Sequence, residues 1–419
     1  MEPTSSQFAA FSLNCWGLKY VSKQRKQRIA AIADYLAASE YDVVGLQEVW
    51  VQEDYQLIRH VTAQRFPFAK YFYSGILGSG LVVLSRHRII SSSFHRYSLN
   101  GKFLNVLHGD YFSGKCVGSV CIQHPACGII EVFNTHLHAN YIKCETIYGA
   151  HRAAQAWELA TLIRRSKGSH VFLLGDLNST PDSLEYQILT QHAGLTDAWA
   201  TAHPSPGRLE TIAPAEAIEH LGVTCDSPLN AFTSTSCKDD VGKRIDYIMC
   251  KGMGEGIRCQ SAEVLLVSPT EAGLQMSDHF GVAARVLLPP LAKNNSTFEL
   301  DPRNTGLSQE TLRNLRILLG SRRSLAEENY RFSSRFTLFW ALLDLLLLLC
   351  IILTHQLAAQ TPASLAVIIL ASLFLVLATA ATIVNVFGWL GELNEERSAL
   401  REIEEEICFV EEWVKRRDE

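Results

Sequence analysis

Two histidines, four carboxylates and two amides stand where apolar runs of this chain stop. The plainest case is Val171-Phe172-Leu173-Leu174-Gly175-Asp176-Leu177-Asn178, an apolar run that passes straight into Gly-Asp-x-Asn. Asn14 follows Phe11-Ser12-Leu13. Glu48 follows Val43-Val44-Gly45-Leu46-Gln47. His136 sits in Asn134-Thr135-His136-Leu137-His138. Asp246 lies in Arg244-Ile245-Asp246-Tyr247, and Ser277-Asp278-His279 precedes a last apolar run. Oxygens of Glu48 and Asn14 suit a hard cation such as Mg²⁺, which keeps several waters and needs few protein ligands. His279 with a carboxylate partner is a base near neutral pH. A cation, a His–Asp pair and amide donors together are what hydrolysis of a phosphoester requires. Each piece also has a plainer reading. Gly-Asp-x-Asn is a common turn, a histidine near a strand end is usually structural, and Asp246 beside Arg244 reads as a local ion pair. So many polar residues at run ends in one stretch are hard to explain as turns.

The runs themselves read as strands, at 8–14, 43–48, 80–85, 117–123, 129–136, 171–175, 244–250, 262–267 and 282–288. Stretches 23–38, 53–62, 141–166 and 183–192 read as helices, the first with a stripe of Ile29, Ile32, Ala33 and Leu36. Strands that neighbour each other as well as helices imply an α/β mixed-sheet sandwich covered by helices. Ligands of such sheets gather beyond the carboxyl ends of strands, where Asp176 and Asn178 fall. Residues 201–240 are Pro-, Ser- and Thr-rich and read as a long irregular loop; 289–305 read as a linker.

Beyond the linker the chain changes character. Residues 336–353 are apolar apart from Thr337 and Asp344, and 363–390 carry no charge. A spanning helix needs about 20 apolar residues, so two spans are expected, at 336–355 and 363–390. Arg322, Arg323, Arg331 and Arg335 precede the first span, and 354–362 has no Lys or Arg. The positive-inside rule then puts both ends in the cytosol, joined by a short luminal loop. The short first span suits a thin bilayer such as the endoplasmic reticulum, with the plasma membrane as the alternative. Asp344 is expected to be bonded inside the membrane by Asn385 or Thr382. In the charged tail, 391–419, Leu393, Leu400, Ile403, Ile407, Val410 and Val414 approach a heptad, a seam for 307–319 or for another chain. The organisation expected is a catalytic domain at 1–290, a linker with a short amphipathic helix at 291–335, the two spans, and a cytosolic helix. Sequons at Asn294 and Asn295 are inert in that topology. Net charge is −5, which gives no basic footprint for nucleic acid. Eleven cysteines without CxxC spacing fit reduced thiols rather than a disulfide framework. Residues 1–10 lack the basic and apolar regions of a signal peptide.

The order Asn14, Leu46-Gln47-Glu48, Asn134-Thr135-His136, Gly175-Asp176-Leu177-Asn178, Arg244-Ile245-Asp246-Tyr247 and Ser277-Asp278-His279 resembles the deoxyribonuclease-I-like endonuclease/exonuclease/phosphatase superfamily. The resemblance covers residues 8–288 and implies a four-layer α/β/β/α sandwich with Mg²⁺-dependent phosphoester cleavage, Mn²⁺ serving as a substitute. Three features are similar to the membrane-anchored neutral sphingomyelinases. They are Asn14-Cys15-Trp16-Gly17 with Glu48-Val49-Trp50, Gly109-Asp110 through Gly114-Lys115, and His136-Leu137-His138 followed by Ala150-His151-Arg152.

That resemblance implies phospholipase-C-type cleavage of sphingomyelin, a membrane lipid, into ceramide and phosphocholine. It implies Glu48 and Asn14 as metal ligands. Asp246 orients His279, which deprotonates the attacking water; Asn178, His136 and Lys115 donate to the phosphoryl oxygens. Asp176 orients the water or the histidine pair, and Asp278 supports the water network. The split of roles between the two histidines comes from the resemblance alone. His138 and His151 are expected to be structural. For a choline head an aromatic face is expected, with Tyr20, Trp50, Tyr111 and Phe112 as candidates. Phe66, Phe68, Tyr71, Phe72 and Tyr73 read as core, with contact to a bilayer as the alternative. Lysophosphocholine lipids share head group and bond. A nuclease or inositol-phosphate phosphatase on the same core, and an inactive membrane scaffold, are the remaining readings.

Overall fold

The computed structural model describes residues 6–102, 109–140, 145–203, 212–234, 241–251, 256–290, 305–357 and 361–418. The sequons at Asn294 and Asn295 lie outside them. Two six-stranded mixed sheets form the centre. The first joins β1 (Ser6–Asn14), β2 (Val43–Gln47), β3 (Phe68–Tyr71), β4 (Val82–Ser85), β11 (Arg258–Leu265) and β12 (Gly281–Leu288), in the order β11-β12-β1-β2-β4-β3. The second joins β5 (Ile89–Arg96), β6 (Cys116–His124), β7 (Gly128–His136), β8 (His170–Asp176), β9 (Leu195–Asp197) and β10 (Asp246–Lys251), in the order β5-β6-β7-β8-β10-β9. β1 with β2, and β7 with β8, are parallel; the other pairs are antiparallel.

Side-chain alternation along each strand builds the layers. Phe8, Ala10, Val43, Val132, Phe172, Leu174 and Ile248 point between the sheets and form one core. Ala9, Phe11, Leu13, Val44 and Leu46 point outward, under α1 (Arg25–Ala37) and α2 (Gln52–Val61). The outward residues of the second sheet, Val117, Phe133, Leu173 and Met249, meet the Ala150, Ala153 and Trp157 face of α4 (Glu145–Arg164). The result is the four-layer α/β/β/α sandwich.

Short helices fill the loops: α3 (Asp110–Ser113), α5 (Leu184–Gln187), α6 (Ala198–Ala202) and α7 (Pro214–Leu221). α7 falls inside the stretch expected to be irregular. Pro214 opens it, and Ala217 and Ile218 bury against Val223 and Phe280. β5 escaped the strand reading because it is an edge strand with a mostly exposed Ser-rich run, which leaves no apolar alternation.

α8 (Gln309–Leu357) runs unbroken for 49 residues, taking in both the expected amphipathic helix and the expected first span. α9 (Pro362–Val384) passes through a π-helical turn, Asn385–Leu390, into α10 (Gly391–Asp418). Two stretches of these helices are long and apolar enough to cross a membrane. Asp344 of α8 accepts from Thr382 at 3.0 Å and from Thr379 at 3.3 Å, while Asn385 bonds Ser333 and Thr337 instead. The seam of α10 lies on α8 and α4. Leu400, Ile403, Ile407 and Val414 share one core with Leu312, Leu315, Leu319 and Trp157. Arg316–Glu411, Arg322–Glu396 and Arg323–Glu404 pair across it. The heptad face is therefore filled from within the chain, and self-association through it is not supported.

Candidate active site

The polar residues converge because strand parity carries them inward. Asn14, Gln47, His136, Asp176 and Asp246 keep the inter-sheet parity of the core residues that precede or follow them. Apolar filling gives way to polar groups at one edge of the sandwich. There the parallel strands β1, β2, β7 and β8 end, and β10 and β12 begin. Residues just past the strand ends hold left-handed backbone: Trp16 (φ 47°), Glu48 (φ 58°) and Asn178 (φ 48°). Such strain in non-glycine residues collects at functional sites. Gly17 is forced: a Cβ there would stand 2.2 Å from the Glu48 carbonyl oxygen, to which its own N–H donates.

A cleft of about 560 Å³ opens at this edge, lined by Asn14, Glu48, Lys115, His136, Asp176, Asn178 and His279. His279 Nδ1 is 2.8 Å from Asp246 Oδ2, and its Nε2 is 4.0 Å from Asp176 Oδ2. His136 Nε2 stands 3.4 Å from Asp176 and 4.0 Å from Glu48. Asp176 Oδ1 accepts the Asn178 backbone N–H at 2.8 Å, and the Asn178 amide donates to the Leu137 carbonyl. Lys115 is buried 3.2 Å from Asp110, at the far wall. Asp278 is bonded to Ser277 beside His279, half-buried. His138 stacks on Tyr148 at 4.1 Å, and His151 lies 3.9 Å from Glu396; both are packing partners outside the cleft lining. Of the aromatic candidates Tyr20 and Trp50 line the cleft, and Tyr111 and Phe112 do not. Phe66, Tyr71 and Phe72 are core, while Tyr73 is 63% exposed.

Electrostatics at this edge are lopsided. Glu48, Asp176, Asp246 and Asp278 gather here, while Lys115 is already engaged by Asp110. Burial, then the Asp246 charge, pushes Asp176 up to about 7. Burial pushes Asp278 up to about 6. Burial alone would lower His279, but the Asp246 carboxylate outweighs it and holds the imidazole well above its ordinary value. Burial, then Lys115, keeps His136 neutral. Among the described residues, Asp246 Oδ1 is buried with no hydrogen-bond partner. Two crowded carboxylates held above their usual range, Asp176 and Asp278, with an orphaned oxygen on Asp246, are what a cation-binding edge looks like without its counter-charge. The Glu48 carboxylate, with the Asn14 amide beside it, fits a hard divalent ion that keeps most of its waters. Asn14 differs from expectation in its orientation. Its Oδ1 accepts Trp16 N–H at 3.0 Å, which fixes the amide, so Nδ2 faces Asp176 at 3.0 Å and Glu48 at 3.3 Å. Ligation by the Asn14 oxygen requires that amide to turn over. Ligand atoms of Asp176, Asp246 and His279 also lie within 4.8 Å of one another. There the 2.8 Å His279–Asp246 bond spends those two groups on each other.

Two further residues support the cleft from below. Gln47 donates to Asn134 Oδ1 at 2.7 Å, bridging the sheets directly beneath the cleft; matching parity on both strands was the available signal. Arg28 is fully buried and donates to the carbonyls of Cys15, Trp16 and Met276, tying the Asn14 loop to the loop before His279. In a run of Lys and Arg nothing in the sequence marks it.

Residues 11–279 match the model of the endonuclease/exonuclease/phosphatase family. The chain is 36% identical over 287 residues to an inositol phosphosphingolipids phospholipase C of Schizosaccharomyces pombe, covering 66% of this chain and 67% of that one. It is 34% identical over 371 residues to sphingomyelin phosphodiesterase 2 of Rattus norvegicus, covering 85% of this chain and 82% of that one. Among solved structures, a Staphylococcus aureus beta toxin with bound magnesium ions shares the fold at TM-score 0.52 and 16% identity, covering 68% of this chain and 100% of that one. The family model ends at His279 itself and takes in the whole cleft lining, and identity above 30% over two thirds of the phospholipase C and phosphodiesterase chains narrows the branch: the chain belongs to the endonuclease/exonuclease/phosphatase family, among its neutral sphingomyelinases, and is a phosphodiester hydrolase.

Proposed function

We propose that this chain is a Mg²⁺-dependent phospholipase-C-type enzyme that hydrolyses sphingomyelin to ceramide and phosphocholine. The observation that carries the reading is a single cleft with the His279–Asp246 pair on one flank and the Glu48 carboxylate on the other. Glu48 would hold the cation, with Asn14 aligning it; when bound, that ion supplies positive charge where the phosphoryl oxygens gain negative charge. Asp246 holds His279 by Nδ1, so Nε2 faces the cleft; the positive charge of a bound ion would draw the raised imidazole down, and in its neutral form Nε2 takes the proton of the attacking water. The new bond is water oxygen to phosphorus. The bond that breaks joins phosphorus to the ceramide oxygen, which leaves in line and is reprotonated by water. Neutral His136, Asn178 and Lys115 donate to the phosphoryl oxygens, Lys115 after releasing Asp110. Asp176 stands between the two histidines and orients the water; Asp278 orders the solvent around it. Trp50 and Tyr20 offer ring faces for a choline head.

The anchor reading is that α8 and α9 cross an intracellular membrane with both flanks cytosolic, supported by Arg322, Arg323, Arg331 and Arg335 ahead of the first apolar stretch. Lysophosphocholine lipids present the same head and bond and are the second substrate class. Mass-spectrometric product analysis on mixed micelles, with and without Mg²⁺, tests the reading. Phosphocholine and ceramide are expected only with the ion, and Glu48→Gln is expected to lose the response. Free phosphate, cleaved nucleic acid or no product from any phosphocholine lipid would each overturn it.

A further inference from the structure

The mouth of the cleft is built from two loops that expose large apolar side chains. In the loop after β1, Tyr20 is 91% and Val21 68% exposed; in the loop after β3, Ile76 is 81%, Leu77 57% and Tyr73 63% exposed. Lys19 and Lys23 flank the first pair, exposed to solvent, and Lys19 Nζ lies 5.7 Å over the Tyr20 ring. Leu18, Tyr20, Val21 and Leu77 are also cleft lining, so this apolar surface is continuous with the catalytic floor. Five large apolar residues clustered in water around one opening call for an occupant.

The fold says where that occupant is. Ile76 and Leu77 donate their backbone N–H groups to the Phe112 carbonyl of α3, at 2.9 and 3.1 Å. The neighbouring Tyr111 lines a small cavity with Glu392, Glu395 and Glu396, the first turns of α10. Those glutamates follow directly on the apolar stretch that ends at Leu390. At 1.5 Å per residue, Glu396 stands about 9 Å beyond Leu390 along the helix. With α8 and α9 as the spans, α3 falls at head-group height, with the start of α10 on one side and the exposed loop on the other. Aromatic and aliphatic tips beside lysines are the composition of a surface that dips into an anionic interface.

We propose that the Tyr20–Val21 and Tyr73–Leu77 loops insert into the leaflet from which α8 and α10 emerge, so that lipid enters the cleft without crossing water. The inference rests on the anchor reading of α8 and α9 for its geometry and on the catalytic reading for its purpose; insertion of the loops is a separate physical claim that the quenching below reads by itself. Ile76 is the position to vary, since it lies outside the cleft lining. The full chain is reconstituted in phosphatidylcholine–phosphatidylserine vesicles containing sphingomyelin. Ile76→Glu lowers turnover of vesicle sphingomyelin by about tenfold. Its turnover of the water-soluble ester p-nitrophenyl phosphorylcholine stays at the parent rate. Ile76→Trp retains vesicle turnover, and its added fluorescence, over the parent chain, is quenched by brominated phosphatidylcholine. An added fluorescence untouched by brominated lipid overturns the proposal, as does an Ile76→Glu chain that works at the parent rate on vesicles. Should Ile76→Glu lose both activities by misfolding, the quenching of Ile76→Trp decides alone. A parent chain that ignores the soluble ester tells against the head-group assignment, while the quenching still reports on the loops.

Discussion

At the residue scale, the cleft is defined by which groups hold protons. Without a divalent ion, Asp176, held near 7, keeps a proton in the folded state that the unfolded chain releases around its ordinary value of 3.8. Between those values the folded state binds more protons, so its stability falls as pH rises. Asp278, held near 6, acts with the same sign. So does His279, whose raised value means stability present at low pH and lost as pH climbs through it. The unfolding temperature of the detergent-solubilised chain in chelator is expected to drop between about pH 4 and about pH 7. Asp176→Asn is expected to flatten the slope, and Mg²⁺ to reduce it by favouring ionised carboxylates. An unchanged slope in Asp176→Asn would remove that residue from the account. The base is tested by His279→Ala, expected to bind lipid normally while turnover falls by at least about a thousandfold. Near-parent turnover in that variant refutes the assignment. Gly17→Ala forces the Glu48 carbonyl to move. Its signature is a rise of about tenfold or more in the Mg²⁺ needed for half activity, with unchanged circular dichroism.

At the element scale, the second sheet is covered by more than the catalytic segment. Leu400 and Ile407 are fully buried against α8 and α4, and Trp157 of α4 donates to Glu406 of α10 at 2.9 Å. Leu400→Ala and Ile407→Ala should each destabilise the protein by about 2–5 kcal/mol, read as a lowered unfolding temperature with the kcat of folded enzyme unchanged. Buried strands were legible because Val171–Leu174 and Val43–Val44 are apolar on both faces, and because the polar residues that end them keep strand parity. β5 was not, since an exposed edge has no pattern to keep; nor was α7, whose burial against Phe280 is a contact distant in sequence. For the site, residue types and order were enough to name Glu48, His136, Asp176, Asp246 and His279 as neighbours. The Asn14 amide orientation was beyond reach, because it is set by the local Trp16 N–H. So was Arg28, whose hydrogen bonds go to backbone carbonyls, which leave no trace in side-chain identity.

At the scale of the whole molecule, the sandwich, the first turns of α8 and the α10 helix pack as one body. A chain ending at residue 290 strips Leu312, Leu315, Leu319, Leu400 and Ile403 from the outer face of α4. It is expected to aggregate on size-exclusion chromatography. Joining 1–329 to 391–419 without the spans should restore a soluble monomer; equal behaviour of the two would show that the helices contribute no cover. His279 and a Glu48-held divalent ion are proposed to act from two sides on one phosphorus–oxygen bond. Hydrolysis of sphingomyelin in ¹⁸O-water, with products weighed by mass spectrometry, tests it most directly. Label is expected in phosphocholine and not in ceramide, with loss of both products in Glu48→Gln and in His279→Ala. Label in ceramide, release of free phosphate, or undiminished products from either variant would contradict it.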